Sequence, residues 1–146
     1  MMAATHPGAV AWHNLADGSD LTFGAWDAGS NRMARGLIGH GLGRGDRVVI
    51  CITPEEPFPW LTAYTAVHRA GAVAVPVNTR LAGPELRAIL VHAEPTVVLA
   101  SSTGDGGAPW SEWASGVANV RLVATTTDGG GGAVDWASLL HPDGPG

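Results

Sequence analysis

From Leu21 onward, short unbroken apolar runs alternate with longer stretches in which apolar residues recur every three or four positions. After an irregular start, Leu21-Thr22-Phe23 reads as a short strand. A helix is expected from about Ala25 to His40, because Trp26, Met33, Ala34, Leu37 and Ile38 share one face, and Gly41 suits its C′ position. Arg47 then leads into Val48-Val49-Ile50-Cys51-Ile52, the kind of run that forms a strand buried on both faces, and Thr53-Pro54 ends it. Pro57 and Pro59 fit the first turn of a second helix, where no intrahelical N–H is required, and this helix continues from Trp60 through Ala70 to Gly71. Ala72 to Val77 forms the next strand, and Pro84 to Ala93 a helix with Leu86, Ile89 and Leu90 inward. Thr96 to Ala100 and Val120 to Thr125 make two further strands.

Strand, helix, strand, helix, strand with short connections predicts parallel strands joined by right-handed crossovers. The expected fold class is α/β, an open and mostly parallel sheet with flanking helices. Residues 1–10 are expected to be irregular and residues 126–146 to be a Gly-rich flexible tail. Ser101 to Gly107 reads as loop, and Asp135 to Leu140 as a terminal helical turn. No internal repeat is present, so a solenoid is not indicated.

The composition supports a folded chain, with 45% hydrophobic residues among 146. Seven arginines face eight carboxylates before residue 100, and one faces five after it. That balance argues against nucleic acid as a partner. All eight basic residues are arginine, which removes any Schiff-base, phosphate-loop or adenylate-binding lysine from these residues. Cys51 is the sole cysteine, so no intrachain disulfide forms; it reads as a buried apolar thiol in a reducing, cytoplasmic setting. Residues 1–20 lack the basic and apolar regions of a signal peptide. The apolar run Ala70 to Val77 is far shorter than the roughly 20 residues needed to span a bilayer, so no membrane span is expected.

Motifs that might carry chemistry mostly resolve into local structure. Gly39, Gly41, Gly43 and Gly45 alternate beside a strand, but they close a helix and precede the strand, whereas a dinucleotide-binding loop follows a strand and opens a helix. They read as a helix cap and tight turn. Gly129 to Gly132 lacks the following Lys and Ser/Thr of a phosphate loop and reads as linker. The histidines at 6, 13, 40, 68, 92 and 141 show no metal-binding spacing, and His68 and His92 suit helix ends. Glu55 and Glu56 point in different directions as neighbours and read as a helix-start signal rather than a glycosidase pair. No G-x-S-x-G elbow occurs, so a hydrolase triad has no support.

Three blocks nevertheless resemble the opening of the acyl-CoA synthetase and AMP-binding superfamily of adenylate-forming enzymes. They are Leu21-Thr22-Phe23-Gly24-Ala25-Trp26-Asp27, Ser30 to Leu37, and Gly43-Arg44-Gly45-Asp46-Arg47-Val48. The stretch Ala63 to Leu81, with Ala70-Gly71-Ala72-Val73, Pro76-Val77-Asn78-Thr79-Arg80-Leu81 and then Glu85-Leu86, is similar to that family's second core motif. The resemblance covers about residues 11–125 and implies the first subdomain of the adenylate-forming ligase fold, incomplete. Asn78-Thr79-Arg80-Leu81 is similar to acyl- and aryl-CoA ligases rather than to peptide-synthetase adenylation domains.

The resemblance implies a reaction that activates a carboxylic or fatty acid with ATP and transfers the acyl group to CoA, with ATP, Mg2+ and CoA as cofactors of the intact enzyme. The family's phosphate loop is expected after Gly146, so these residues are expected to bind no cofactor alone and to be inert. No catalytic residue is assigned; Arg80 matches an Arg that in some CoA ligases faces the CoA nucleotide. The alternative expectation is a non-catalytic assembly module, pairing with a separately encoded C-terminal portion or with itself. An unpaired sheet edge and apolar surface would then be exposed; a pseudogene product is equally compatible, and its poor solubility would follow from a sheet face lacking its helices.

Overall fold

The computed structural model describes residues 6–15, 17–53, 56–81, 83–101, 110–126 and 134–135. Their elements run β1 (Val10–His13), β2 (Asp20–Thr22), α1 (Phe23–Gly39), β3 (Arg47–Cys51), α2 (Pro57–Arg69), β4 (Val73–Pro76) and α3 (Gly83–Ala93). β5 (Val97–Ala100), α4 (Trp110–Ala114), β6 (Leu122–Thr125) and β7 (Val134–Asp135) follow. A parallel sheet has the order β4-β3-β5-β6-β7, with β1 and β2 forming a separate antiparallel pair. The expected α/β fold is therefore observed.

Side chains alternate across the sheet, and each face finds its own helices. Val48, Ile50, Val97, Leu99, Leu122 and Ala124 pack with Met33, Ala34 and Leu37 of α1 and Ala63, Ala66 and Val67 of α2. Val49, Cys51, Val98 and Ala100 pack on the opposite face with Leu86, Leu90 and Ala93 of α3 and Trp110 and Ala114 of α4. Both faces are thus covered by helices of this chain, contrary to the expectation that one would lie bare. Met33, Leu37, Ile50, Leu90 and Leu99 are fully buried; cutting any of them to Ala costs about 2–5 kcal/mol.

Helix ends follow the expected chemistry. Thr22 caps α1, its Oγ1 accepting from the Ala25 amide at 3.1 Å. Gly41, at φ +102°, ends it, with Leu42 N–H reaching back to Leu37 O at 3.1 Å. Only glycine enters that backbone region without strain. α1 and α2 are locked by Trp26 Nε1 donating to Thr65 Oγ1 at 3.0 Å and by the Arg69–Asp27 ion pair at 2.9 Å.

Some expectations are corrected. The start is not wholly irregular: Val10–His13 pairs with Asp20–Thr22, and its apolar residues are too exposed to leave an alternating pattern. Its connection is held by Asp17 accepting from Ser19 N at 2.8 Å and Ser19 Oγ at 2.6 Å, bonds that keep the Asp17 carboxyl below its usual range. Asp135 belongs to β7, beside Thr125, rather than to a helical turn; the expected turn over 136–140, the loop over 102–107 and the glycines at 129–132 lie outside the described residues.

Candidate functional site

In an open parallel sheet, ligands favour the carboxyl ends of the strands, at the point where successive connections turn opposite ways. Here that point lies between β3 and β5. The chain leaves β3 through α2 to reach β4 on one side, then returns past β3 through α3 to β5 on the other. The carboxyl ends beside it are lined by hydroxyls: Thr53, Ser101 and Thr125 are all buried.

Backbone amides join these strand ends. Thr53 N–H donates to Ser101 Oγ at 2.8 Å, Ser101 N–H to Cys51 O at 3.0 Å, and Thr126 N–H to Ala100 O at 3.0 Å. Thr126 Oγ1 donates to Glu56 Oε1 at 3.0 Å, tying the start of α2 to the end of β6. Glu56 occupies the N-cap position of α2, yet its side chain makes no cap bond. Glu56 thus marks the helix start as expected, while its carboxylate bonds across 70 residues of chain. Glu55 lies outside the described residues.

The start of α2 offers a phosphate little among the described residues. A helix N-terminus holds phosphate through free amides, but Pro57 and Pro59 remove two of them from the first turn of α2. The Glu56 carboxylate adds negative charge at the same place. There is no lysine in the sequence, and the described residues contain no group of three His, Cys, Asp or Glu that could hold a metal ion. Ser101 Oγ satisfies the Thr53 amide and Thr126 Oγ1 holds Glu56, so these bonds form a structural seam between the strand ends.

The amino ends differ. A cavity of about 400 Å³ there is lined by Asp46, Arg47, Glu94, Thr96, Asn119 and Arg121 among others. Thr96 N–H donates to Arg47 O at 2.8 Å and Arg121 N–H to Thr96 O at 2.7 Å, which sets the three residues side by side. Helix C-termini gather at this end. Arg47 Nη1 donates to Ala93 O in the last turn of α3 at 2.9 Å, and the Arg121 side chain lies across Gly41 after α1. Both cations thereby complement the negative ends of helix dipoles.

The other sequence candidates fall apart in space. Gly41 and Gly45, both at positive φ, form the cap and turn expected of them. His68 Nδ1 donates to Tyr64 O at 3.0 Å and is exposed, as is His92 in the last turn of α3. His13 pairs with Asp20. Cys51 is 3% exposed, and burial pushes its thiol up to about 11. Arg80 is exposed on the turn after β4, where its N–H donates to Asn78 Oδ1 at 2.9 Å; among the described residues it forms no ion pair. Sequence reasoning missed the seam, although Thr53, Ser101 and Thr125-Thr126 share a signal, a small hydroxyl residue ending an apolar run.

A family model described as AMP-binding enzyme matches residues 2–135. The chain belongs to this family. Among similar proteins, the hybrid PKS-NRPS synthetase TAS1 of Cordyceps militaris is 37% identical over 103 residues, covering 70% of this chain and 6% of that protein. The long-chain-fatty-acid–CoA ligase FadD13 of Mycobacterium tuberculosis is 38% identical over 79 residues, covering 54% of this chain and 15% of its own length. A Mycobacterium tuberculosis fatty acyl CoA synthetase structure superposes with a TM-score of 0.75 at 26% identity, over 99% of this chain and 27% of that one. A benzoate CoA ligase structure from Burkholderia xenovorans superposes with a TM-score of 0.76 at 20% identity, over 99% and 27%, and shows the shared fold. The chain therefore spans only a minor part of these AMP-binding relatives.

Proposed function

We propose that these residues are the first α/β unit of an AMP-forming acid–thiol ligase that makes acyl-CoA from a fatty or other carboxylic acid. In this reading the unit supplies scaffold rather than reacting groups. The observation that carries it is the combination of family membership with a strand-end crevice unsuited to phosphate: Pro57, Pro59 and Glu56 stand where amides and a cation would be needed. Phosphoryl chemistry depends on positioned positive charge, and no lysine is available here. The acyl-CoA preference rests on Asn78-Thr79-Arg80-Leu81 and on the fatty-acid ligase likeness, while the 37% identity to a peptide-synthetase hybrid favours the competing substrate class. Cys51, the sole and buried thiol, suits a cytoplasmic setting.

Pure 146-residue chain is expected to catalyse no ATP–pyrophosphate exchange with any carboxylic acid. Measurable exchange overturns the scaffold reading. Arg80, exposed beyond the carboxyl end of β4, is proposed to meet the CoA nucleotide. In an active ligase containing this unit, Arg80→Ala then raises KM for CoA and leaves ATP–pyrophosphate exchange unchanged; an unaltered KM rejects the contact.

A second reading has a specific observation in its favour. With helices on both faces of its sheet, the unit carries its own two-sided core, as an assembly module that joins a separately made remainder requires. Activity appearing when the two are mixed supports this, and a monomer that stays inactive with the remainder counts against it.

A further inference from the structure

Edge strands invite pairing with another chain because they present a row of unused N–H and C=O groups. Among the described residues, β4 has a partner on one side only, β3. Its four residues, Val73, Ala74, Val75 and Pro76, carry no charge, and Val73 is 50% exposed. Such an uncharged, β-prone edge is where a second copy would add.

Backbone direction decides what that edge offers. Val73 N–H donates to Asp46 O at 2.7 Å and Val77 N–H to Ile50 O at 2.8 Å. Strand residues alternate, so the odd positions 73, 75 and 77 turn their N–H groups toward β3 and the even positions 74 and 76 turn theirs outward. The Ala72 N–H is already bonded to Val67 O at 3.1 Å. Position 76 is proline and has no N–H. Ala74 is left as the strand's single outward donor.

We infer that Pro76 keeps this chain from joining a second copy edge to edge through β4. Across a twofold axis, an antiparallel pair of β4 strands centred on residue 75 would place Ala74 opposite position 76 of the partner twice, and each such pair ordinarily exchanges two bonds. With proline at 76, each pair forms one. Half the ladder is lost at the only register that uses both outward positions, and a strand of four residues has nothing further to offer. Charge, another common protection of edges, is absent from β4, so the proline carries the task.

Sedimentation velocity over a range of concentrations tests this with the whole chain. Pro76→Val restores an N–H at a β-branched residue and is expected to strengthen self-association at least tenfold over the parent. Adding Val73→Lys, a charge at the half-exposed residue of the same edge, is expected to reverse the gain. Circular dichroism and a thermal melt establish that each variant is folded, and Pro76→Ala, with the smaller side chain, is read in place of Pro76→Val if the latter does not fold. A folded variant that associates no more strongly than the parent overturns the inference, as does a gain that Val73→Lys leaves intact.

Discussion

The two ends of the one parallel sheet have been finished with opposite chemistry. At the amino ends, Arg47, Arg121, Asp46 and Glu94 surround an open polar cavity, and the cations answer helix C-termini. At the carboxyl ends, Thr53, Ser101 and Thr125 are buried and neutral, and the nearby Glu56 is bonded to a hydroxyl. Helix polarity explains the first pattern, because every strand–helix–strand unit brings a helix C-terminus to the amino end of the next strand. The second pattern differs from what that polarity permits. Helix N-termini at the carboxyl end could bind an anion, but Pro57, Pro59 and Glu56 close that option at α2. At the end that the fold makes favourable for ligands, the described strands finish in buried hydroxyl residues.

The strongest test of that burial is Cys51, at the carboxyl end of β3. Burial holds its thiol at about 11 instead of the ordinary 9.0. Near neutral pH the folded chain should therefore carry about a hundredfold less thiolate than an unfolded one, and react with a thiol reagent at least that much more slowly. Equal labelling rates with and without denaturant would break the contrast between the ends. The sign for stability follows from the raised value. The folded state keeps a proton that the unfolded state releases, so this stabilisation is complete below pH 9.0 and is lost as pH climbs toward about 11. Denaturant midpoints measured across that range report it.

Next in size is Ser101→Ala, which strips the buried Thr53 amide of its acceptor. The expected loss is about 2 kcal/mol in urea unfolding, with little dependence on salt. A loss below about 0.5 kcal/mol would mean that water reaches this end as freely as the other. Arg47→Met at the amino end should cost about 1 kcal/mol, and the cost should shrink in high salt because the guanidinium is exposed. A salt response in the Arg47 variant alone would sharpen the contrast; matching responses would erase it. The smallest effect is expected from Glu56→Gln, which keeps an oxygen for Thr126 Oγ1 and should change stability by about 0.5 kcal/mol or less. A larger change would show that the Glu56 charge itself matters at the carboxyl end.

Much of the fold was legible because local pattern reports burial. Val48 to Ile52 is apolar without a break, and β3 is buried on both faces. Gly41 and Gly71, at the ends of the first two helices, both adopt positive φ. The α4 helix and β1 were not foreseen, one being five residues long and the other largely exposed. Short or exposed elements place too few residues on a buried face to leave a periodic trace. The seam was illegible for another reason. Thr53 and Ser101 are 48 positions apart, and Glu56 and Thr126 are 70 apart.

By itself the sequence determined the alternation of strands and helices, the glycines that end α1 and α2, and the absence of any lysine for phosphate chemistry. Only the tertiary structure decided that β4 lies on the far side of β3 from β5, and that α1 and α2 share one face while α3 and α4 take the other. It also decided that Pro76 turns its missing donor outward and that the Thr53 amide after β3 meets the Ser101 hydroxyl after β5. The physical reason is range. Periodicity records whether a residue is buried, a property set within a few turns of chain, whereas strand order and hydrogen-bond partners depend on loop closures that no local pattern encodes.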